Sequence, residues 1–565
     1  MTYAIGLDFG TESGRAVLVD LATGEELGTA IHEYANGVID RRLPAPDDDV
    51  VLEPDWALQD PDDYLATIRS TVPRLLSQAG VDRSEVVGIG IDFTACTMLP
   101  TTADGTPLCR LPEFRRAPHA WVKLWKHHAA QPEADRINEA AAARGEPWLP
   151  RYGGRISSEW FYSKSLQILD EAPGIYAAAD RLIEAADWVI WQLTGVETRN
   201  SCTAGYKAIW SKQDGFPSDD YFADLDPRFA TIVDDKMSRD VRSIGERAGE
   251  LSAEAASWTG LRPGIAVAIA NVDAHVSVPA VGVIEPGTMV AVMGTSTCHM
   301  VLGSQLVVAE GMCGVVEDGI IPGYFGYEAG QSAVGDIFAW FTKQAVPPEV
   351  HEQARREGST VHAVLAREAS RLRPGETGLL ALDWWNGNRS ILVDVELSGL
   401  LIGATLATQP ADIYRALLES TAFGTRAIIE SLEAAGVAVE RVVACGGLPE
   451  RNEFLMQLSA DITGREFDVA ASAQAPALGS AMYGAVAAGA AAGGYDSIAD
   501  AAAAMVKPGV RTYRPDPSSR AVYDDLFRDY LALHDHFGRG GNDVMRRLRA
   551  LRARQSREAS APVAS

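Results

Sequence analysis

The stretch YAIGLDFGTESGRAVLVDLATG, residues 3–24, places a short polar turn between two apolar strands. The turn is rich in groups suited to anions: Gly10, Thr11, Ser13, Gly14 and Arg15. We expect the glycines to adopt backbone conformations closed to other residues and to let N–H groups approach a ligand closely. Hydroxyl and guanidinium groups are donors that converge well on phosphate oxygens. The stretch therefore indicates a phosphate-binding turn.

Asp8, at the end of the first strand, places a negative charge beside the predicted phosphate-binding turn. A carboxylate would repel a bare phosphate, but it can hold Mg²⁺ directly or through water. The motif then predicts a nucleotide that arrives with a divalent cation. A tight hairpin with a solvated aspartate is an equally open explanation of these residues alone.

The same pattern returns in the second half of the chain. The stretch TMVAVMGTSTCHMVLG, residues 288–303, again has strand, turn and strand, with Gly294, Thr295 and Ser296 in the turn. Two copies of one device suggest a duplicated α/β domain with a ligand between the copies. Coincidence stays an alternative, because short Gly-Thr-Ser turns are common.

Apolar segments and amphipathic segments alternate along the chain, which is typical of an α/β architecture. The predicted strands are Ala4–Leu7, Ala16–Val19, Val86–Ile91, Ala266–Ile269, Met289–Met293 and Arg441–Ala444. The predicted long helices are Pro61–Ala79, Ala411–Ala434 and Asn452–Thr463. At 565 residues, the chain is too long for a single core.

Composition limits the classes of partner. The net charge of −26 argues against nonspecific binding to nucleic acid or to anionic membranes, because the field of the protein repels phosphate. Six scattered cysteines without a C-x-x-C pair fit reduced thiols, and we expect a cytoplasmic protein. Residues 469–495 have no charged side chain and are long enough to cross a bilayer. Their Ala and Gly content favours a buried helix instead.

The presence or absence of other nucleotide-binding motifs limits the class of nucleotide site that the chain can form. A P-loop is excluded because no lysine follows a glycine. The stretch VVACGGLPERNEFLMQL, residues 442–458, delivers Gly446 and Gly447 at a strand end, with Asn452 near the start of the next helix. Bare glycines leave a flat surface on which an adenosine could rest. Taken alone, this piece is better explained by a simple strand-to-helix turn.

Together, DFGTESGR, GTSTC and ACGG followed by Asn452 resemble the nucleotide elements of the FGGY carbohydrate kinases, which lie within the actin-like ATPase superfamily. The stretch GLLIGATLATQPADIYRALLE resembles the second family signature, although Ala404 replaces a larger aliphatic residue, and ISSEWFYSKSLQIL lies where the first signature belongs. The resemblance extends over residues 3–530. It implies two actin-like (ribonuclease H-like) α/β domains, 1–279 and 280–540, with a catalytic cleft between them. Residues 541–565 are predicted to be a basic helix end that continues into a disordered tail.

Within the family, several stretches resemble the branch that phosphorylates ribulose. This resemblance implies a sugar site formed by Ala95, Trp125, Lys207, Asp273 and Glu328. Taken singly, a tryptophan is more often part of a core, and a lysine or glutamate is more often a solvated charge. Their order along the chain, rather than any one of them, carries the prediction.

The resemblance implies transfer of the γ-phosphoryl group of MgATP to the primary hydroxyl of ribulose, in the breakdown of pentoses such as L-arabinose. Asp273 would be the base, and Asp8 would hold Mg²⁺. We expect L-ribulose to be preferred, with D-ribulose, ribitol or arabitol accepted more weakly, because Lys207 and Glu328 are long and adaptable. Three alternatives stay open: a kinase for another ketose or polyol, an actin-like ATPase without a sugar substrate, and a silent sugar-binding regulator. A homo-oligomer is allowed but not indicated.

Overall fold

Two seven-stranded sheets form the centre of the molecule, whose computed structural model describes residues 1–560. The first half of the chain forms, in order, β1 (Tyr3–Phe9), β2 (Ser13–Asp20), β3 (Glu26–Glu33), β4 (Leu58–Gln59), α1 (Pro61–Ala79), β5 (Val86–Phe93), β6 (Met98–Thr101), β7 (Val122–Lys123), α2 (Gln131–Arg144), α3 (Phe161–Glu171), α4 (Pro173–Ala178), β8 (Arg181–Glu184), α5 (Ala185–Thr194), β9 (Arg199–Asn200), α6 (Ser201–Lys207), α7 (Asp219–Leu225), α8 (Ile232–Lys236), β10 (Val241–Arg242), β11 (Arg247–Glu250), α9 (Ala253–Thr259), β12 (Ala266–Ala268), β13 (Asn271–Val272) and α10 (Asp273–Ala280).

The second half forms, in order, β14 (Gly287–Met293), β15 (Thr297–Gly303), β16 (Gly314–Glu317), β17 (Phe325–Gln331), α11 (Gly335–Gln344), α12 (Pro348–Arg356), α13 (Val361–Ala369), β18 (Leu380–Leu382), β19 (Leu400–Ile402), α14 (Pro410–Ala434), β20 (Val439–Cys445), α15 (Gly447–Arg451), α16 (Glu453–Thr463), β21 (Glu466–Val469), α17 (Ala475–Ala488), α18 (Ile498–Met505), β22 (Arg511–Tyr513), α19 (Arg520–Gly538) and α20 (Val544–Ser560).

The two sheets share one strand order. The first runs β3-β2-β1-β5-β12-β11 and the second runs β17-β15-β14-β20-β21-β22. In the first sheet, β1 pairs antiparallel with β2 and parallel with β5. In the second sheet, β14 pairs antiparallel with β15 and parallel with β20. This shared topology confirms the α/β architecture of two similar domains and agrees with the repeated strand–turn–strand motif.

The long predicted helices are present, with bounds that local chemistry explains. Helix α1 has the predicted bounds, because the side chain of Asp60 accepts a hydrogen bond from the Asp62 amide at its start and Gly80 adopts a φ of 63° at its end. Helix α14 begins one residue before the prediction, at Pro410. Helix α16 begins one residue later, because Asn452 lies outside the helix and caps it.

Helix α17 belongs to the second half of the chain but packs against β1 and β5 of the first sheet. Glycines permit this close approach: a Cβ on Gly6 would lie 1.8 Å from the carbonyl oxygen of Ala477, and one on Gly90 would lie 1.8 Å from that of Ser480. The prediction of a buried helix within the charge-free stretch 469–495 is thus confirmed. No helix within residues 1–560 is long and apolar enough to cross a membrane.

Helices α10 and α17 pack against each other between the two sheets. Their apolar side chains join residues of both sheets in one core, for example Val276 and Ala477 with Val17 and Val290. The boundary between the domains stays a prediction at residues 279 and 280, at the end of α10.

An additional lobe interrupts the first domain. Its four-stranded sheet, β4-β7-β6-β8, packs with nearby helices around an aromatic core. That core includes the buried tryptophans Trp56, Trp121, Trp148 and Trp160. Trp125, predicted to contact sugar, packs against it. This lobe did not emerge from the sequence pattern, because its strands are two to four residues long.

The C-terminal segment is more ordered than expected over its first part. Residues 544–560 form helix α20, and Met545 is buried in the core of the second domain. The guanidinium of Arg546 donates to a carboxylate oxygen of Asp394 over 2.6 Å. The buried Met545 and the ion pairs of Arg546 with Asp394 and of Arg549 with Glu396 therefore hold the start of the predicted tail. Residues 561–565 lie outside the described part of the chain.

Candidate active site

The two predicted phosphate turns occupy equivalent places in the two sheets. The Gly10 amide donates to the Ser13 carbonyl at 3.0 Å, and the Gly294 amide donates to the Ser296 carbonyl at 2.8 Å. Both glycine amides are therefore used inside the turns. Donors that remain for a ligand include the hydroxyls of Ser13, Thr295 and Ser296, which make no hydrogen bond within the described residues.

The expected role of the first-turn glycines needs a correction. Neither Gly10 nor Gly14 has φ in the left-handed region, so a side chain is not excluded by backbone conformation. Gly14 is instead required by packing, because a Cβ there would lie 2.6 Å from the Thr67 methyl group. A Cβ on Gly10 would lie 3.2 Å from the Ser13 carbonyl oxygen, which is tight rather than forbidden.

Asp8 faces Arg15 across the β1–β2 hairpin, where the two residues are paired in register. Arg15 Nε lies 3.2 Å from Asp8 Oδ2, and Arg15 Nη1 donates to Gln474 Oε1 at 2.8 Å. Asp8 is buried, and burial raises the pKa of its carboxyl group against the opposing effect of Arg15. The solvated aspartate of the simple hairpin explanation is thus not what the structure contains.

Asp92 is a second carboxyl group beside Asp8, on the adjacent parallel strand. Its Oδ2 accepts a hydrogen bond of 2.6 Å from Ser480 on helix α17, whereas its buried Oδ1 has no partner within the described residues. Burial, followed by the charge of Asp8, raises the pKa of Asp92 well above its usual range. Sequence reasoning missed Asp92, although it ends β5 as Asp8 ends β1.

Asp273, the predicted base, is the first residue of helix α10. One of its oxygens accepts a hydrogen bond from the Ala274 amide at 2.7 Å, and the side chain is half-buried. Burial and the nearby charge of Asp8 raise the pKa of Asp273 to about 7. A carboxylate with this pKa can accept a proton near neutral pH and still ionise there.

Lys207 and Glu328 join the two domains in a buried ion pair. Lys207 Nζ lies 3.0 Å and 2.9 Å from the two Glu328 oxygens, and His275 Nε2 lies 3.3 Å from Glu328 Oε2. Burial alone would raise the pKa of Glu328, but Lys207 and His275 hold it well below its usual range. The expectation that Lys207 and Glu328 are adaptable is wrong, because both are buried and held in one geometry.

Trp125 and Ala95 come from loops of the additional lobe and the first sheet. Trp125 is half-buried, and its indole Nε1 donates to the Thr11 hydroxyl at 3.0 Å. Ala95 is half-buried between the interdomain core and the lobe. A predicted sugar-binding side chain therefore contacts a predicted phosphate-binding one directly.

The buried Lys164 fixes both of these loops by hydrogen bonds to their backbone. Its role was not predicted from the sequence. Its Nζ donates to the carbonyl oxygens of Cys96 at 2.6 Å and Leu124 at 2.8 Å, the neighbours of Ala95 and Trp125. Lys164 is fully buried, and burial lowers its pKa to about 8. Its position within the stretch ISSEWFYSKSLQIL was visible, but its depth in the fold was not.

The second turn and the predicted adenosine surface are adjacent. Gly446 has a φ of 94°, and a Cβ there would lie 2.6 Å from the Met293 carbonyl oxygen, one residue before the turn. Gly447 is exposed, and a Cβ there would lie 3.9 Å from Cζ of Arg451, at ordinary van der Waals distance. The Asn452 side chain accepts from the Leu455 amide at 3.0 Å, so its oxygen already serves as a helix cap.

The structure thus brings the predicted residues into two neighbouring groups where the domains meet. One group surrounds Asp8 and Asp273, and the other surrounds Lys207 and Glu328, whose charges also act on the pKa of Asp273. Gly446, Gly447 and the turn of Gly294 lie together on the second domain. The roles of these residues stay predictions.

Comparison with protein families gives two matches. The N-terminal domain of the FGGY family of carbohydrate kinases matches residues 3–280, and the C-terminal domain of that family matches residues 289–488. Together they span most of the chain.

Several curated proteins are similar over nearly their whole length. A protein of Geobacillus thermodenitrificans named ribulokinase is 59% identical over 547 residues, covering 97% of this chain and 96% of the relative. A ribulokinase of Halalkalibacterium halodurans is 57% identical over 558 residues, with 99% of each chain covered. A ribulokinase of Mycolicibacterium smegmatis is 53% identical, with 98% of this chain and 97% of the relative covered.

Solved structures of low sequence identity share the fold. A xylulose kinase from Rhodospirillum rubrum superposes with a TM-score of 0.75 at 24% identity, covering 94% of this chain and 98% of the other. A gluconate kinase from Lactobacillus acidophilus gives a TM-score of 0.76 at 16% identity, covering 95% and 99%. These two likenesses concern the fold alone.

Proposed function

The chain belongs to the FGGY family of carbohydrate kinases, and we propose that it transfers the γ-phosphoryl group of ATP to the primary hydroxyl of ribulose. The products are ribulose 5-phosphate and ADP. The proposal is supported by relatives that are 53–59% identical over nearly the whole chain and carry the name ribulokinase. It corresponds to a step in the breakdown of pentoses such as L-arabinose.

The observation that carries the sugar assignment is the buried group of Lys207, Glu328 and His275 beside Asp273. The cost of desolvating a buried charged network offsets much of its contribution to stability. The presence of this network therefore favours a role in binding. Its ammonium and carboxylate groups offer donors and acceptors to several hydroxyls of one sugar. Trp125 and Ala95 would border the sugar on the side of the additional lobe.

Asp273 would accept the proton of the attacking hydroxyl. Phosphoryl transfer depends on positioning and charge neutralisation, with one group to take the proton. The pKa of about 7 suits this role, because about half of the carboxyl groups are ionised at neutral pH and the carboxylate is basic enough to bind a proton. As the first residue of α10, it is also held in place by a helix that packs between both domains.

The phosphate chain of ATP would lie between the two turns. Thr11, Ser13 and Arg15 would approach it from the first domain, and Gly294, Thr295 and Ser296 from the second. Two domains that close on one triphosphate exclude water and so limit unproductive hydrolysis of ATP. The adenosine would rest on Gly446 and Gly447, whose exposed backbone presents no bulky side chain. Asn452 would border it with its amide nitrogen, since its oxygen caps α16.

The acidic pair Asp8 and Asp92 fits a divalent cation, which we take to be Mg²⁺. Two adjacent buried carboxyl groups with raised pKa values, one with an unpartnered oxygen, would both ionise in the presence of a dication. Within residues 1–560 no group of three or more acidic, histidine or cysteine side chains is arranged to hold a metal alone. This arrangement fits a cation that is partly coordinated by phosphates. Such a cation neutralises phosphate charge.

We further propose that L-ribulose is the preferred sugar and that the protein acts in the cytoplasm. A rigid site built around hydroxyl groups rejects an analogue that leaves a buried polar atom unpaired. The Lys207–Glu328 pair is buried and fixed in position, so it cannot adjust to a hydroxyl of changed configuration. Epimers such as D-ribulose should therefore be poorer substrates than they would be with a mobile pair. The thiols of all six cysteines are free, which suits a reducing compartment. The alternative of an actin-like ATPase without a sugar substrate is not favoured.

ADP release measured with a panel of acceptors tests the proposal. The panel contains L-ribulose, D-ribulose, D-xylulose, glycerol, ribitol and arabitol, each with MgATP and with a no-acceptor control. We expect the highest kcat/KM for L-ribulose, and poor turnover of D-xylulose and glycerol. A higher kcat/KM for D-xylulose or glycerol would overturn the ribulose assignment and leave the family assignment standing. Equal ADP release without acceptor would favour the actin-like ATPase.

A further inference from the structure

Arg389 is a cation without a partner at the place where the domains meet. It lies in the segment between β18 and β19 of the second domain and is half-buried. Among residues 1–560 its guanidinium makes no hydrogen bond and no ion pair within 4.0 Å. Guanidinium groups that are shielded from water are normally paired, because their charge is costly to remove from water. An unpaired one is therefore a candidate to bind an anion.

The backbone places Arg389 between the predicted sugar and phosphate sites. Its Cδ and Nη1 lie 2.9 Å and 3.3 Å from the position that a Cβ on Gly330 would occupy, so the side chain crosses β17 at that glycine. Gly330 pairs with Cys298, and Glu328 is two residues away on the same face of the strand. Cys298 is itself two residues after Ser296 of the second turn.

Neighbouring hydrogen bonds hold this segment in place. The hydroxyl of Ser390 accepts a hydrogen bond from the Gly330 amide at 3.2 Å, next to the point where β16 begins at Gly314. Gly311 approaches the next residue so closely that a Cβ would lie 2.4 Å from backbone atoms of Ile391. Arg389 is thus presented by an anchored backbone rather than by a free loop.

No carboxylate of the described chain pairs directly with Arg389, although nearby acidic groups act on it at longer range. The charge of Glu328 is already neutralised by Lys207. Oε1 of Glu159, on the first domain, lies 3.7 Å from Nε2 of His128, and Glu159 forms no ion pair with Arg389. Burial would lower the pKa of Arg389, but Glu159, the Cys298 and Cys313 thiols and Glu328 raise it, so the guanidinium stays charged. The site between sugar and nucleotide therefore has a spare positive charge.

We propose that Arg389 contacts the phosphoryl group while it moves from ATP to the sugar, and that it then binds the 5-phosphate of the product. This inference rests on the proposed function. In the transfer, the primary hydroxyl oxygen bonds to the γ-phosphorus, the bond from that phosphorus to the β–γ bridging oxygen breaks, and the hydroxyl proton passes to Asp273. Negative charge spreads over the three other γ-oxygens, and a planar guanidinium can donate to two of them at once.

Arg389→Met and Arg389→Lys test the proposal, with Arg373→Ala as control. Arg373 is an exposed arginine of the same domain whose side chain pairs with Glu376. We expect Arg389→Met to lower kcat about 10²- to 10³-fold, with KM values for ribulose and ATP within about threefold of wild type. Lys should recover only part of the loss, because it cannot donate in a bidentate manner. Millimolar guanidinium should restore part of the activity of Arg389→Ala.

A second measurement does not depend on turnover. Calorimetric titration with ribulose 5-phosphate and with ribulose should show that Arg389→Met weakens binding of the phosphate ester about tenfold or more and leaves binding of the free sugar unchanged. Equal weakening of both ligands would make Arg389 a sugar ligand and overturn the proposal. If Glu159→Gln weakened binding of both ligands in the same way, the effect would come from an interdomain ion pair between Glu159 and Arg389. This result would also overturn the proposal.

The two proposals fail separately. If wild-type protein has its highest kcat/KM with D-xylulose or glycerol, the ribulose assignment fails, and the Arg389 experiment is run with that acceptor and its phosphate ester. If wild-type protein turns over ribulose and Arg389→Met has normal kcat, the phosphoryl contact fails alone. A fall in both kcat and thermal stability for Arg389→Met and Arg389→Lys alike, without guanidinium rescue, would make the residue structural and contradict the proposal.

Discussion

The indole nitrogen of Trp125 donates a hydrogen bond to the hydroxyl of Thr11, 3.0 Å away. The bond joins the additional lobe, which borders the proposed sugar site, to the first phosphate turn. A neutral hydrogen bond of this kind contributes about 0.5–1.5 kcal/mol. The position of the lobe and the position of the turn are therefore coupled by a measurable amount.

Trp125→Phe removes this donor and keeps an aromatic face. We expect kcat/KM for ribulose to fall about 2- to 12-fold, the range given by a neutral hydrogen bond. Thr11→Val removes the same bond together with a proposed phosphate donor, so its own effect should be larger, and Trp125→Phe should cost little more once Thr11 is already Val. Steady-state kinetics of the four proteins gives the coupling energy. Full additivity would show that the bond does not link the two sites.

Asp273→Asn removes the proposed base. We expect kcat to fall by about 10²- to 10⁴-fold with unchanged ribulose binding, as is usual for a general base. Because burial and Asp8 raise the pKa of Asp273 to about 7, wild-type kcat/KM with subsaturating ATP should fall as the pH drops through 7 and level off above it. The exposed Asp525 supplies the control, Asp525→Asn. Near-normal turnover of Asp273→Asn would refute the assignment.

Glu328→Gln tests the sugar side. The amide keeps the shape of the side chain but loses the charge that Lys207 and His275 contact. We expect the KM for ribulose to rise at least about tenfold, since a hydrogen bond to a charged group contributes about 1.5–3 kcal/mol, while the KM for ATP stays near normal. Glu328→Ala is a poorer test, because it leaves Lys207 buried without a partner, at a cost of about 3–5 kcal/mol in stability.

For Glu328→Gln, the matched control is Glu317→Gln. Glu317 ends the neighbouring strand β16 and lies 3.5 Å from the half-exposed Lys212. It should leave both KM values unchanged. An equal rise in the KM values for ATP and ribulose in Glu328→Gln would place this residue outside the sugar site.

Lys164→Met leaves the carbonyl oxygens of Cys96 and Leu124 without their buried donor. An unsatisfied buried acceptor costs about 1–3 kcal/mol, and the loops that present Ala95 and Trp125 should relax. We expect the melting temperature to fall and the KM for ribulose to rise about tenfold, with the KM for ATP unchanged. Lys164 thus acts as a positioning residue. If only the melting temperature changes, the lysine serves stability alone.

Thr295→Val keeps the shape of the side chain in the second turn and removes its hydroxyl. The hydroxyl is exposed and makes no bond within the described chain, so its loss should not disturb the turn. Loss of one phosphate donor should lower kcat by about 10²-fold or more, with the KM for ribulose unchanged. Thr295→Ser should retain most activity. Parallel loss of turnover and sugar affinity would point to misfolding.

Both turns and the strands around them were predictable, because alternating apolar residues and glycine-bounded polar turns are local signals. Asp92, Lys164 and Arg389 were not, because each gains its importance from residues far along the chain. Asp92 meets Ser480, and Lys164 meets the carbonyl group of Leu124. A buried lysine looks like a surface lysine in a sequence.

Two further differences have the same origin. The adaptable ion pair inferred from the length of Lys207 and Glu328 is locked, because burial between two domains is a property of the whole fold. The additional lobe has strands too short to show a periodic pattern, and long aromatic side chains from distant segments build its core.

The contact of helix α17 with the first sheet has a consequence for synthesis of the protein on the ribosome. Strands β1 and β5 are complete by residue 93, but the helix that covers their face begins at residue 475. While the intervening chain is being made, Gly6, Gly88 and Gly90 line the groove into which α17 later packs. The nascent first domain must therefore keep an apolar face open through most of translation. Chaperones that hold exposed apolar surfaces should bind this intermediate and be released once α17 emerges.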